Sequence, residues 1–294
     1  MNVKCYENEY LGTHTGIEKT LYDTLVTSSK RGYYNIQIFM GSAYSVDRRK
    51  ILDSDVQKCN ELLKTYPMGI YTHLPYIYNL AASVKHNTYL WEGHEEIDEY
   101  ATKCLESIEY ELCILSKLHT DRKGCVLHIG SVGKLDVKKG LDKVIESINK
   151  IQFPTDSYLL IETMVGRGGV LGTDYRQLRY IYDRINTKNQ LHIGFCIDTC
   201  HVFAEGLYHL QTVENIDLLF SDFDKTIGLD KLKLVHFNDS KVGCGEKKDL
   251  HMNINKGYIW NSITSKYFCE LLQKYKIPSV LETTVEDYAV IQGL

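Results

Sequence analysis

The chain has 294 residues, of which 44% are hydrophobic and 24% charged. That is enough for a large α/β domain with a substantial core, and it excludes wholesale disorder. No apolar run approaches the roughly 18 residues of a spanning helix. A net charge of −4 argues against a polyanionic partner unless carboxylates are spent on holding cations, which reverses the local sign. The 9 cysteines are odd in number and dispersed, without a C-x-x-C pair, so they read as reduced thiols in an intracellular compartment, most of them small core residues. The first residues, Met1 to Tyr10, lack the apolar run of a signal peptide and carry acids that transit peptides avoid. The 22 tyrosines against 8 phenylalanines fit an AT-rich coding genome, a viral one included.

No repeat, low-complexity stretch or Pro-rich linker divides the chain, so one domain is expected over residues 1–294. In chain order, strands are expected at Tyr10–His14, Asn35–Phe39 and Gly69–His73. A helix follows at Gly93–Leu118, where Ile97, Tyr100, Ala101, Cys104, Leu105, Ile108, Leu112 and Leu115 recur at spacings of three and four. Strand Gly124–His128 then precedes helix Val137–Ile151, strand Tyr158–Glu162 precedes helix Tyr175–Ile185, and strand Ile193–Asp198 precedes helix Thr212–Ile227. Strand Leu232–Asn238 precedes helix Trp260–Tyr275, and strand Ser279–Glu282 closes the series. Continuous apolar runs such as Leu159-Leu160-Ile161 suit parallel strands covered on both faces. About eight alternations fit a closed (β/α)8 barrel, the TIM barrel. An open doubly wound sheet would alternate similarly, but no glycine-rich dinucleotide fingerprint follows any strand.

Metal-type residues crowd the C-terminal ends of these strands: His14, His73, His128, Glu162, Asp198, His236 and Glu282. A lone His is more often a satisfied core residue, and a lone carboxylate after a strand more often a helix cap. Coincidence at one end of seven strands is harder to explain blandly, because in a barrel those ends form one rim. Three blocks are sharper. Gly194-Phe195-Cys196-Ile197-Asp198-Thr199-Cys200-His201 places a carboxylate and an imidazole three apart at a strand end. His236-Phe237-Asn238-Asp239-Ser240-Lys241 leads through Gly245 to Asp249-Leu250-His251, whose parity points Asp249 and His251 the same way in extended backbone. Leu160-Ile161-Glu162-Thr163 precedes Gly166, Gly168 and Gly169. Oxygen and nitrogen donors without sulfur suit catalytic zinc or manganese rather than a structural zinc; Cys196 and Cys200 are poorly spaced for a single ion.

These blocks, with His73-Leu74-Pro75-Tyr76-Ile77-Tyr78-Asn79-Leu80, His128-Ile129-Gly130-Ser131 and Leu281-Glu282-Thr283, resemble the endonuclease IV family of AP endonucleases from about Tyr10 to Glu282. The resemblance implies a zinc-dependent barrel, with its site at the C-terminal rim of the strands. Such an enzyme hydrolyses the phosphodiester 5′ to an abasic site through metal-activated water, leaving a 3′-hydroxyl and a 5′-deoxyribose phosphate, in base excision repair. It implies three zinc ions per chain, with manganese substituting in part. His73, His128 and Glu162 would hold the first ion. Glu162 would bridge to a second held by Asp198, His236 and Glu282, and His201, Asp249 and His251 would hold the third. Glu162 and Glu282 are the carboxylates assigned to the chemistry. Three divalent ions would turn −4 into about +2, which removes the charge objection. Tyr76 and Ile77 match positions that insert into DNA, where an aromatic–apolar wedge is apt.

The expected partner is double-stranded DNA containing abasic sites, with no membrane association, and the chain is expected to be a monomer. It is expected to be intracellular, in cytoplasm or nucleus, or virion-associated if the source is viral. Trimming of blocked 3′ ends is a further activity the resemblance implies. Two departures stand out. The family's acidic residue after its late histidine is replaced by Lys256. The arginine it inserts after the second strand has no secure counterpart among Tyr44, Arg48 and Arg49. The rivals are a barrel sugar isomerase or epimerase, for which the Asp249-x-His251 pair has no use, and a DNA-damage binding module without chemistry.

Overall fold

The structure is a computed structural model and describes residues 9–81, 94–134 and 136–293. The expectations for the first eight residues and for Gly93 lie outside that set. Eight parallel strands run in the order of the chain: β1 (Gly12–His14), β2 (Asn35–Ile38), β3 (Gly69–His73), β4 (Lys123–Leu127), β5 (Leu159–Glu162), β6 (Ile193–Asp198), β7 (Leu232–His236) and, after a two-strand ribbon, β10 (Ser279–Val280). The ribbon is antiparallel, made of β8 (Asp239–Ser240) and β9 (His251–Met252). The sheet closes on itself. His14 N–H donates to Leu281 O at 2.7 Å, Leu281 N–H to Gly12 O at 3.1 Å, and Thr13 bridges Leu281 in parallel. This is the expected barrel, and each expected strand is present, most of them shorter by a residue or two.

The two faces of the strands separate by period two, as pleated backbone requires. Tyr71, Val126, Leu160, Cys196, Leu234 and Val280 point inward and form a cluster inside the barrel. Alternate residues such as Ile38, Leu127, Ile161, Ile197 and Val235 point outward into the larger core under the helices. Each such side chain, fully buried, contributes roughly 1.5–3 kcal/mol. Gly124 and Gly194 give Leu160 its room inside: a Cβ on either would lie 2.6 Å or 2.8 Å from a Leu160 methyl.

The expected helices appear as α3 (His94–Ser116), α4 (Val137–Lys150), α5 (Tyr175–Arg184), α8 (Val213–Thr226) and α9 (Ser262–Tyr275). The structure adds α1 (Leu21–Lys30), α2 (Asp53–Thr65), a single turn α6 (Thr187–Gln190), α7 (Thr199–Glu205) and α10 (Val285–Gln292). Helices α1 and α2 escape a reading of apolar spacing because part of what they bury is polar: Thr24 and Ser28 in one, Asn60 in the other. Asp55 of α2 accepts from the Leu21 and Tyr22 amides, so it also caps α1. Helix α7 escapes for the opposite reason. Thr199 through Ala204 are all buried, so no polar face remains to mark a period. No helix among the described residues is long and apolar enough to cross a membrane.

Candidate metal centre

Period two also builds the site. Two residues beyond the inward-facing Tyr71, Val126, Leu160, Cys196, Leu234 and Val280 stand His73, His128, Glu162, Asp198, His236 and Glu282. The same parity that fills the barrel therefore aims these six side chains at its axis, one layer higher. They line a cleft of about 440 Å³ together with Tyr76, Met164, His201, Lys241, Asp249, Leu250 and His251, apart from Asp198 and His236, which are fully buried beneath it. His201 arrives on the first turn of α7. That helix starts without a loop because Asp198 is its N-cap and accepts the His201 amide at 2.9 Å. Asp249 and His251 are brought in by the β8–β9 ribbon.

All nine residues expected to hold ions converge, in the groupings expected. Donor atoms of His73, His128 and Glu162 lie within 4.8 Å of one another, as do those of Glu162, Asp198, His236 and Glu282, and those of His201, Asp249 and His251. Glu162 faces two groups with different oxygens. Its Oε2 is 2.9 Å from His128 Nε2 and 3.4 Å from His73 Nε2, and its Oε1 is 2.9 Å from His236 Nδ1. Asp249 lies 3.1 Å from His201 Nε2 and 3.0 Å from His251 Nε2. Cys200 with Asp198 and His251 makes a fourth grouping by distance, but burial pushes its thiol up and its Sγ faces the Leu250 carbonyl. Cys196 belongs to the inner barrel cluster.

The donors fit divalent cations on two independent grounds. Glu162 Oε2, His201 Nε2 and His251 Nε2 are buried yet make no hydrogen bond of acceptable geometry, a costly state for atoms without another partner. The outer nitrogens, in contrast, are anchored. His73 Nδ1–H donates to the Leu74 carbonyl and His201 Nδ1–H to the Thr163 carbonyl, each at 2.7 Å. That tautomer turns the Nε2 lone pair inward, the arrangement by which proteins orient metal-binding imidazoles.

The electrostatics alternate in sign. Against the cost of burial, Asp198 and Asp249 hold His201 well above the usual imidazole range and raise His251 to about 9. Cys196, Glu282 and Glu162 do the same for His236. The facing imidazoles hold Glu162 and Asp249 well below the usual carboxylate range and Glu282 down to about 2. Burial outweighs Glu162 at His128, which is lowered. Four carboxylates in one pocket thus call for positive charge, which divalent cations would supply.

Two orienting residues carry no metal-type signal in the sequence. Gln37 on β2 donates from Nε2 to Glu282 Oε1 at 2.7 Å and to His14 Nδ1 at 3.2 Å, and its Oε1 accepts from His236 Nε2 at 2.8 Å. His14 is therefore not in any ion grouping. Burial lowers it to about 4, so it stands as a neutral acceptor behind Gln37. Asn238 donates to Asp198 Oδ2 at 2.7 Å and Glu282 Oε2 at 3.2 Å. The signal for Gln37 was its parity, two residues beyond Asn35 on an inward-facing strand. In the late block, Asp239 turns out to be structural: it accepts from the Ser240, Gly257 and Ile259 amides. Lys256 is exposed in the adjoining turn.

At the mouth, Tyr76 is 44% exposed. Its ring lies 5.1 Å from that of His73 and 5.4 Å from that of His128. Ile77 instead packs, partly buried, against the main core. Among the three residues considered for the inserted arginine, Arg48 is buried against Glu111, and Arg49 donates to the Glu18 and Lys19 carbonyls.

A closed barrel with this rim is the architecture of the xylose isomerase-like TIM barrels, and the model of that family matches residues 27–289. The chain belongs to the endonuclease IV family within them. A probable endonuclease 4 of Halothermothrix orenii is 32% identical over 278 residues, covering 93% of this chain and 92% of that one. One from Staphylococcus aureus is 30% identical over 277 residues, covering 93% and 87%. The crystal structure of endonuclease IV from Thermus thermophilus superposes with a TM-score of 0.76 at 22% identity, covering 96% of this chain and 95% of that one.

Proposed function

We propose that this chain, as one barrel domain over residues 1–294, is a DNA-repair endonuclease acting inside the cell as a monomer. It hydrolyses the phosphodiester 5′ to an abasic site in double-stranded DNA, leaving a 3′-hydroxyl and a 5′-deoxyribose phosphate. The relatives cited are bacterial and lend nothing to a nuclear or virion location. The observation that carries the proposal is the convergence of four carboxylates and five imidazoles, in three groups of which two share Glu162, at the rim of this family's barrel. His73, His128 and Glu162 would hold one ion, Glu162, Asp198, His236 and Glu282 a second, and His201, Asp249 and His251 a third. The donor set of nitrogen and oxygen suits zinc, with manganese as a partial substitute. When bound, such ions acidify a water molecule, neutralise the phosphate and stabilise the leaving oxygen of an in-line displacement.

The chain's own residues supply the rest. Glu162 presents one oxygen to each of two groups, which fixes their spacing. Gln37 and Asn238 hold Glu282 and Asp198 in orientation. Lys241 places a cation at the cleft, where a phosphate would enter. The exposed ring of Tyr76 is positioned to fill the gap left by a missing base, and an abasic nucleotide leaves the duplex at low unstacking cost. No side-chain nucleophile is needed, and the Cys196 thiol is pushed up to about 12 by burial. A sugar isomerase would leave the group of His201, Asp249 and His251 without a task.

The test is incubation with a duplex carrying one abasic analogue, beside an intact duplex, with and without chelator. Nicking confined to the lesion strand, lost with chelator and restored by zinc, is the expected result. Equal cutting of the intact duplex, or none by metal-loaded protein, would overturn the proposal.

A further inference from the structure

The end of the barrel opposite the ion groups holds a separate cavity of about 450 Å³, within the roughly 300–1,000 Å³ of small-molecule sites. It lies directly beneath the inner barrel cluster, and the buried Tyr71 belongs to both. The course of β7 decides what this cavity can do. Phe195 pairs with Leu232 and Cys196 with Leu234, so Lys233 is an extra residue, a bulge opposite β6. Bulges re-aim side chains. Phe195 and Leu232 face outward into the larger core, whereas Cys196 and Leu234 face inward. Lys233 is turned inward too: a Cβ on Gly194, two residues before Cys196, would lie 2.6 Å from Lys233 Cγ. The lysine stem thus occupies the room that Gly194 leaves, and its ammonium ends 5.5 Å from the centre of the Tyr158 ring. The other charges around the cavity are mostly matched. Lys123 pairs with Asp156 at 2.7 Å, Arg122 with Glu9 at 3.8 Å and Asp230 with Lys231 at 2.9 Å. Asp121 stands at the exposed edge. Neither Lys233 nor Lys276 makes an ion pair among the described residues. Burial and the neighbouring Lys231 lower the Lys233 ammonium from the usual lysine range, the mark of a cation without a counter-charge. Lys276 holds the left-handed C-cap position of α9, at φ 56°, where glycine is usual.

We propose that this cavity binds a nucleoside monophosphate, with the phosphate on Lys233 and Lys276 and the base against the ring of Tyr158. Two unmatched ammonium groups suit a phosphate monoester, which carries about −1.5 to −2 at neutral pH. A carboxylate would leave one of them unmatched. The tyrosine face supplies the second half of the recognition, since stacking accepts any base. The site is remote from the ion groups, at the other end of the strands, and does not rest on the function proposed above.

The experiment is calorimetric titration of the metal-loaded protein with deoxyadenosine monophosphate, deoxyadenosine and inorganic phosphate. Wild type is compared with Lys233→Met, which keeps the stem over Gly194 and removes the charge, and with Lys276→Met at the exposed edge. Wild type should bind one nucleotide per chain at this site, about tenfold or more tighter than either the nucleoside or phosphate alone. Lys233→Met should weaken the nucleotide about tenfold, the scale of one lost charge-assisted hydrogen bond, and leave the nucleoside unchanged. Lys276→Met should weaken the nucleotide in the same sense. Thermal midpoints within a degree or two of wild type, on the order expected for a surface change, show that the variants fold. Three results overturn the proposal. The first is no nucleotide binding by wild type. The second is inorganic phosphate binding as tightly as the nucleotide, which would leave the ring without a role. The third is nucleotide affinity unchanged in both variants, which would place the nucleotide at the ion groups instead.

Discussion

Glu162 is the residue on which most of the site depends. It is buried, its two oxygens face different groups, and four imidazoles, those of His73, His128, His201 and His236, lie within 3.4 Å of them. Glu162→Gln keeps the shape and removes the charge. We expect nicking to fall by far more than tenfold and bound metal to drop, with the fold retained by circular dichroism. A rate within about tenfold of wild type, a barrier change of only ~1.4 kcal/mol, would show that the charge is not needed. Gln37 sets a second test. Gln37→Leu leaves Glu282 Oε1 and His236 Nε2 without their partner, which should cost about 1–3 kcal/mol of stability. Affinity for the ions should fall about 10–100-fold, the usual effect of removing an orienting hydrogen bond. Unchanged zinc titration in this variant would contradict the orienting role.

At the scale of elements, the segment after β3 divides its labour. Tyr76 stands at the cleft mouth, whereas Ile77 packs against the core. The sequence alone treats them as one wedge. The structure predicts that their alanine variants behave differently. Tyr76→Ala should weaken binding to an abasic duplex at fixed salt and leave the thermal midpoint nearly unchanged. Ile77→Ala should lower stability by about 1–2 kcal/mol, less than the 2–5 of a fully buried isoleucine, with a smaller effect on affinity. Denaturant unfolding and fluorescence anisotropy read the two quantities separately. Equal losses of affinity in both variants would restore the joint wedge.

For the whole molecule, the ions are expected to be part of the fold's stability. Four carboxylates and five imidazoles share one pocket at the barrel end, and anything that binds only the folded state stabilises it. Elemental analysis of active protein should find close to three divalent ions per chain, and one or fewer would sink the three-group assignment. Chelation should lower the thermal midpoint by several degrees, since a ligand at 100 times its Kd adds about 2.7 kcal/mol and each kcal/mol shifts a large domain by about 2–4 °C. An unchanged midpoint after complete chelation would show that the ions do not contribute to folding.

Period and chemistry by themselves determined a good deal here. Parallel strands with two buried faces, the five helices with regularly spaced apolar residues and the nine candidate donor residues are all written in local spacing, because strand parity and helix period act over a few residues. The family blocks assigned those nine residues to three groups before any geometry was known. Tertiary structure decided the rest. Gln37 looks like any polar residue until closure of the barrel brings it beside Glu282, some 245 positions away. Arg48 stands as a candidate for the inserted arginine until the fold buries it against Glu111, 63 positions on. Ile77 and Tyr76 are neighbours in sequence, but only packing sends one to the core and the other to the cleft. Helix α7 has no period because it is covered on every side. In each case the deciding partner is distant along the chain, and a contact of that kind exists only once the barrel has closed.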